Sequence, residues 1–177
     1  MKNILTAFVL LIFVSTNAQV KWMSMSQAIA LQKQKPKKIL IDFYADWCAP
    51  CKIMDKETYA NPVIAKYIND NFYAVKFDAE GNEKFFFNGR DFANPGYKAG
   101  RNRNTQHEFA GFMSIYSYPT TMFMDENFTP ITSLMGLLMP NEIEPFLALI
   151  ASNTYKDIKT REDWDSYQAK FKSKLKN

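Results

Sequence analysis

"ILIDFYADWCAPCK", residues 39–52, holds both cysteines of this chain, three positions apart, behind a tryptophan and around a proline. Its first half decides the local fold. From Lys38 to Ala45 the sequence is apolar after the lysine except for one acid, Asp42, the pattern of a strand buried on both faces. The pair follows at the strand's end, where Cys48 should open a helix running to about Tyr59. A Cys at a helix N-terminus faces unpaired N–H groups and the positive end of the helix dipole, and both favour thiolate over thiol.

Two thiols at this spacing are a metal clip, a structural staple or a redox pair. A structural zinc site needs four ligands, or three and a water, and beyond the pair the chain has one histidine, His107, and no further cysteine. A bridge closing so short a loop restricts the unfolded chain little, so it is a poor staple. The redox reading remains. Cys48 is then the exposed nucleophile, Cys51, one turn further in, is the resolving thiol, and Pro50 stiffens the loop between them. His107 reads as a surface or hairpin-packing residue.

Outward from the pair, Ser26 is placed to cap a helix through Gln34, ended by Pro36. Asn61-Pro62 is a cap and a first-turn proline for a helix over 63–69, and Phe72 to Phe77 is a second strand. Strand, helix, strand in this order predicts a parallel βαβ unit. The segment from Gly81 to Thr105 reads as an insertion. It centres on Asn88-Gly89, a two-residue hairpin signal, and continues into a turn-rich basic stretch with Arg90, Lys98, Arg101 and Arg103. Phe85, Phe86 and Phe87 on this hairpin either pack on the body by alternation or form an apolar docking site. Gln106 to Ile115 is helical in pattern. Thr120 to Met124 is a strand, Phe128 to Leu134 its hairpin partner, and Gly136 ends that arm. Pro140 to Ala151 is a helix, and Thr160 to Asp163 is a capping box for a last helix through about Lys174.

Composition bounds the rest. Hydrophobic residues make up 47% and aromatic residues 15%, which excludes a disordered chain. The formal net charge of +4 is too mild to argue for a nucleic-acid or membrane partner, and the lysine-rich stretches at 33–38 and 170–176 read as solvated faces. At the N-terminus, Lys2 and Asn3 precede the apolar run Ile4 to Val14 and the small, polar stretch Ser15 to Ala18. The run is too short for a membrane span, which takes about 20 residues. It reads as a secretory signal over 1–18, leaving 19–177 as a single domain without stable membrane insertion after cleavage.

These residues carry a family resemblance. The segment 39–52 resembles the active site of thioredoxin-fold proteins in its strand, buried acid, tryptophan and CxPC pair. "YPTTMFMD" resembles that family's cis-proline loop, implying that Tyr118, Pro119 and Thr120 border the substrate site, and Gly136 matches the glycine beside the substrate groove. Lys76 matches the lysine next to the buried acid. "DKETYANPVIAKYI" is similar to the C-terminal domain of the membrane thiol reductase DsbD, where a second acid follows the pair; Asp55 stands there. The resemblance implies an α/β thioredoxin fold, a mixed central sheet flanked by helices, with an inserted β-hairpin and an extra C-terminal helix. It also implies an exported, periplasmic thiol–disulfide oxidoreductase. Such a protein is a monomer that needs no cofactor, reduces disulfide-bearing partner proteins and draws electrons from an upstream thiol donor. The CxPC motif resembles reducing members; the alternatives are an oxidase or isomerase of the same fold, or a redox-inert binding module. In the residues themselves, Asp42 reads as a base for Cys51 or as a structural acid bonded to Lys76. Asp55 reads as functional or as a surface acid, and Trp47 as packing or as a shield and contact surface for the thiol.

Overall fold

The computed structural model describes residues 19–175; the expected signal segment lies outside them. Four strands form the central sheet in the order β2-β1-β5-β6: β1 is Ile39–Tyr44, β2 Tyr73–Asp78, β5 Thr120–Met124 and β6 Pro130–Met135. β1 runs parallel to β2 and antiparallel to β5, and β5 is antiparallel to β6. Between β1 and β2 lie α2 (Ala49–Met54), a π-helical turn (Asp55–Tyr59) and α3 (Pro62–Asn71). This is the expected parallel unit.

Strand alternation sorts the core. Ile39, Ile41 and Phe43 point into one apolar layer, shared with α1 (Met25–Gln32) and α4 (Glu108–Phe112). Leu40 points into the other, with Met54, Tyr59, Ile64, Ile68 and the face of α5 (Pro140–Ala151) that carries Ile143, Leu147 and Ile150. With a side-chain period of two, Asp42 shares Leu40's side, beneath α2 and the π turn.

The inserted hairpin pairs β3 (Phe85–Phe87) with β4 (Arg90–Phe92). Asn88 and Gly89 both take positive φ, 49° and 81°, as the tight turn requires. Phe85, Phe87 and Phe92 are buried in the first core layer against Phe109, while Phe86 is 61% exposed. Asn94 ties the base of the insertion together, donating to the carbonyls of Gly81 and Thr105 at 3.0 and 2.7 Å. The hairpin is therefore part of the core, and the packing reading of Phe85 and Phe87 holds.

Several expectations are corrected. The N-cap of α1 is Ser24, not Ser26, because Gln27 completes a capping box with Ser24; the Ser26 hydroxyl instead donates to Glu83 at 2.9 Å. That helix stops at Gln32, before Gln34. α4 is shorter than 106–115: His107 caps it through Nδ1, and Ser114 leaves the helix at φ 57°. His107 is buried, its ring stacked on Phe85 and its Nε2 2.7 Å from the Glu83 carbonyl. It is a hairpin-packing residue and not a surface one. Lys38 is not on a solvated face either; it is buried and paired with Glu126 at 2.9 Å. The last helix, α6 (Arg161–Lys170), has its capping box at Thr160 and Asp163 but ends before Lys174. There the chain turns extended at Phe171, and Lys174 N and Ser173 Oγ donate to the buried Glu144.

Candidate functional site

Cys48 is the N-cap of α2, with extended backbone (φ −75°, ψ 103°). Pro50 in the first turn lacks an N–H that would be unpaired there in any case. The N–H of Cys51 donates to Cys48 Sγ at 3.2 Å. That is one direct donor to the sulfur, and the open helix end adds the dipole. The two cysteines form a disulfide with Cα atoms 5.3 Å apart.

Cys48 is not exposed, contrary to the sequence expectation: both cysteines are 2% accessible. With Ala45 they form a small apolar cluster under Tyr44, Trp47 and Tyr118. Trp47 and Tyr118 meet edge to face at 6.1 Å. The guanidinium of Arg103, from the insertion, lies 4.0 Å over the Trp47 ring. The insertion thus reaches the active-site rim. The sequence reading missed this contact, which no spacing between Trp47 and Arg103 could reveal.

The Tyr118–Pro119 peptide is cis, as the resemblance implied, and Pro119 is buried beside the cluster that Tyr118 covers. The Pro119 carbonyl accepts from Gly136 N at 2.8 Å, so β5 and β6 are laced together at this end. Gly136 holds φ +92°, a conformation that a side chain strains. The Thr120 hydroxyl donates to the Ser117 carbonyl at 2.8 Å and fixes the loop before the strand.

A second, charged cluster centres on Asp42. Asp42 is 1% exposed; its Oδ2 accepts from Lys76 Nζ at 2.6 Å. Lys76 also bonds Asp55, which joins that acid to the Asp42–Lys76 pair that the resemblance had marked. Aromatic rings enclose the ammonium, with Tyr44, Trp22 and Tyr59 centroids 4.9, 5.2 and 5.5 Å away. Burial pushes the Asp42 carboxyl from 3.8 up to about 6, against the opposing pull of Lys76. Asp42 is thus both bonded to lysine and held near the range where it exchanges protons at neutral pH. Trp22 and Tyr59 escaped the sequence reading: a π turn, which presents Tyr59, has no sequence signature, and Trp22 reaches the cluster from the segment before α1. Among the described residues, no group of three or more His, Cys, Asp or Glu side chains is placed to hold a metal ion.

The comparisons with known proteins agree with this geometry. The family described as "Thioredoxin-like domain" matches residues 25–151. The chain belongs to the thioredoxin-like family. Its Cys48–Cys51 pair is of the CxxC type. Among curated proteins, the thiol:disulfide interchange protein DsbD of Vibrio vulnificus is 37% identical over 59 residues, 33% of this chain and 10% of that protein. DsbD of Escherichia coli is 42% identical over 41 residues, 23% of this chain and 7% of that protein. The chain thus spans a tenth or less of the length of these relatives. Among solved structures, a thioredoxin-fold protein from Helicobacter pylori superposes with a TM-score of 0.59 at 20% identity, covering 88% of this chain and 87% of that one. A thioredoxin from Thermus thermophilus superposes at 0.56 with 15% identity, covering 75% and 87%. At these identities the structural matches speak for the fold alone.

Proposed function

We propose that this thioredoxin-like chain is an exported, monomeric reductase of partner-protein disulfides, working in a periplasmic compartment. The observation that carries the chemistry is Cys48 at the N-cap of α2, its sulfur accepting from Cys51 N–H, together with an acid held near pH 6. In the reduced protein the Cys48 thiolate attacks one sulfur of a partner disulfide. A mixed disulfide forms and one partner thiolate leaves. Asp42 takes the proton of the Cys51 thiol; the Cys51 thiolate then attacks Cys48 Sγ, closing the Cys48–Cys51 disulfide and releasing the second partner sulfur as a thiolate, which takes up a proton from water. Two electrons pass to the partner, and an upstream dithiol donor returns them.

Lys76 and Asp55 tune Asp42 and connect it toward solvent, since the Asp55 side chain is 44% exposed. Trp47 shields the pair, and Pro50 stiffens its loop. Tyr118, Pro119, Thr120 and Gly136 form the ledge against which an extended partner segment lies. The reducing direction is favoured by a motif interior, Ala49-Pro50, without a titratable group to stabilise the reduced pair further. Export is favoured by the N-terminal sequence, and no helix among the described residues is long and apolar enough to cross a membrane.

Equilibration with glutathione and reduction of insulin test the direction. A potential near that of thioredoxin, about −270 mV, with rapid insulin reduction is expected, whereas one near that of a strong oxidase, about −120 mV, contradicts it. The N-terminal residue of the protein recovered from fractionated cells tests export: Gln19 in the periplasmic fraction is expected.

A further inference from the structure

One oxygen of Asp42 is left over. Oδ2 accepts from Lys76, but Oδ1 is buried with no hydrogen-bond partner. A buried carboxylate oxygen without a donor is costly, and more so when charged. The groups bearing on this carboxylate are few. Lys76 comes from β2, Tyr44 from β1 itself, and Asp55 and Tyr59 from the π turn. From β5 comes Thr121, the register partner of Asp42, and α2 carries the cysteine pair.

Besides Tyr44, which is only partly buried, two neutral hydroxyl donors stand in this set. The Tyr59 hydroxyl and Thr121 Oγ1 are 2.9 Å apart, both buried, and either can donate to the other. The direction decides what remains for Asp42. If Tyr59 donates to Thr121, the phenol proton is used. If Thr121 donates to Tyr59, the phenol proton is free to turn elsewhere. The ring itself cannot leave: it packs edge to face on Trp22 at 4.9 Å, and the π turn that presents it is closed by Ala60 N donating to the Asp55 carbonyl at 3.0 Å. Such turns are frequent at functional sites.

We propose that Tyr59 is a positioning residue for Asp42: Thr121 donates to the phenol oxygen, and the phenol proton turns to Asp42 Oδ1 whenever the carboxylate is ionised. The inference rests on the reading of Asp42 as the base for Cys51. When Asp42 accepts the Cys51 proton, the phenol proton turns back to Thr121 Oγ1 and the Thr121 hydroxyl proton rotates away from the phenol. Tyr59 gives up no proton; it only rotates one. The hydroxyl pair thus supports the charged form of Asp42 before the transfer and releases it afterwards.

The test is a carbon-13 NMR titration of the aspartate carboxyls in the reduced protein, with Asp42→Asn assigning the resonance. Insulin reduction is followed across the same pH range. Tyr59→Phe keeps the ring and its packing but removes the proton. It should raise the Asp42 midpoint by about one pH unit, because a lost donor disfavours the charged form. The acid limb of the rate profile should move up equally. Thr121→Val should raise the midpoint by less, since the phenol can still donate; Thr121→Ser should restore it. An Asp42 midpoint unchanged or lowered in Tyr59→Phe overturns the proposal. So does a Thr121→Val shift larger than that of Tyr59→Phe, which would make Thr121 the direct donor. A raised midpoint with an unmoved rate limb upholds the Tyr59 assignment and removes Asp42 from the proton transfer, so failure of the two readings is told apart.

Discussion

Replacing Asp42 by asparagine is expected to stabilise the fold near neutral pH while slowing turnover. Asp42 has no solvent to share its charge, and burial lifts its folded-state carboxyl from 3.8 to about 6. For an acid raised on folding, the folded state binds the extra proton between those two values. The carboxyl's contribution to stability is full below 3.8, declines as pH rises, and is lost just above 6. At about 1.36 kcal/mol per pH unit, that rise corresponds to about 3 kcal/mol. Asparagine keeps the shape and an acceptor for Lys76, which also retains Asp55, but adds an amide with incomplete hydrogen bonding. The net gain should be about 1–3 kcal/mol near pH 7.5, or about 2–10 °C in Tm for a chain of this size. It should shrink toward zero near pH 4, where the wild-type carboxyl is protonated when folded. Urea unfolding of oxidised wild-type and Asp42→Asn protein at both pH values measures the difference, and insulin reduction measures the lost base. A variant less stable than wild type near pH 7.5, or a gain that grows toward pH 4, refutes the reasoning about burial.

Phe92→Ala should cost about 3–5 kcal/mol in urea unfolding, because Phe92 is buried against Phe85 and Phe109. For the same reason, deletion of residues 82–104 should yield a chain that does not fold cooperatively by circular dichroism. Arg103→Ala should cost no more than about 1 kcal/mol of stability and change tryptophan fluorescence, since it uncovers Trp47. Its insulin reduction should stay near wild type while exchange with natural partners weakens. Alkylation of the reduced protein near neutral pH should label Cys48 before Cys51 by peptide mass mapping, as Cys48 Sγ has the Cys51 N–H as donor.

Much of the site was legible in the sequence because its chemistry is local. The strand, its acid, the cap cysteine and the proline lie within residues 39–52, and each acts through its own backbone position. The strand Thr120–Met124 and the helix Pro140–Ala151 also match the expectation, bounded as they are by Pro119 and Pro140. What sequence could not show is what meets across the fold. Cys48 looked exposed because helix N-termini commonly are, yet Trp47 and Tyr118 close over it. The cap at Ser24 was legible locally in the spacing Ser24-x-x-Gln27, which the reading of Ser26 passed over. Lys38 read as solvated because its partner, Glu126, follows a different strand. Packing and docking both stayed open for Phe85 to Phe87 because nothing local says that Phe85 and Phe87 meet Phe109.

The central claim is that Cys48 attacks and Cys51 resolves. Cys51→Ser and Cys48→Ser proteins, each reduced and mixed with an oxidised periplasmic extract, test it by the mixed disulfides they accumulate. Cys51→Ser should trap partners through Cys48, released by dithiothreitol, and Cys48→Ser should trap almost none. Equal trapping by both variants, or trapping through Cys51 alone, would contradict the account.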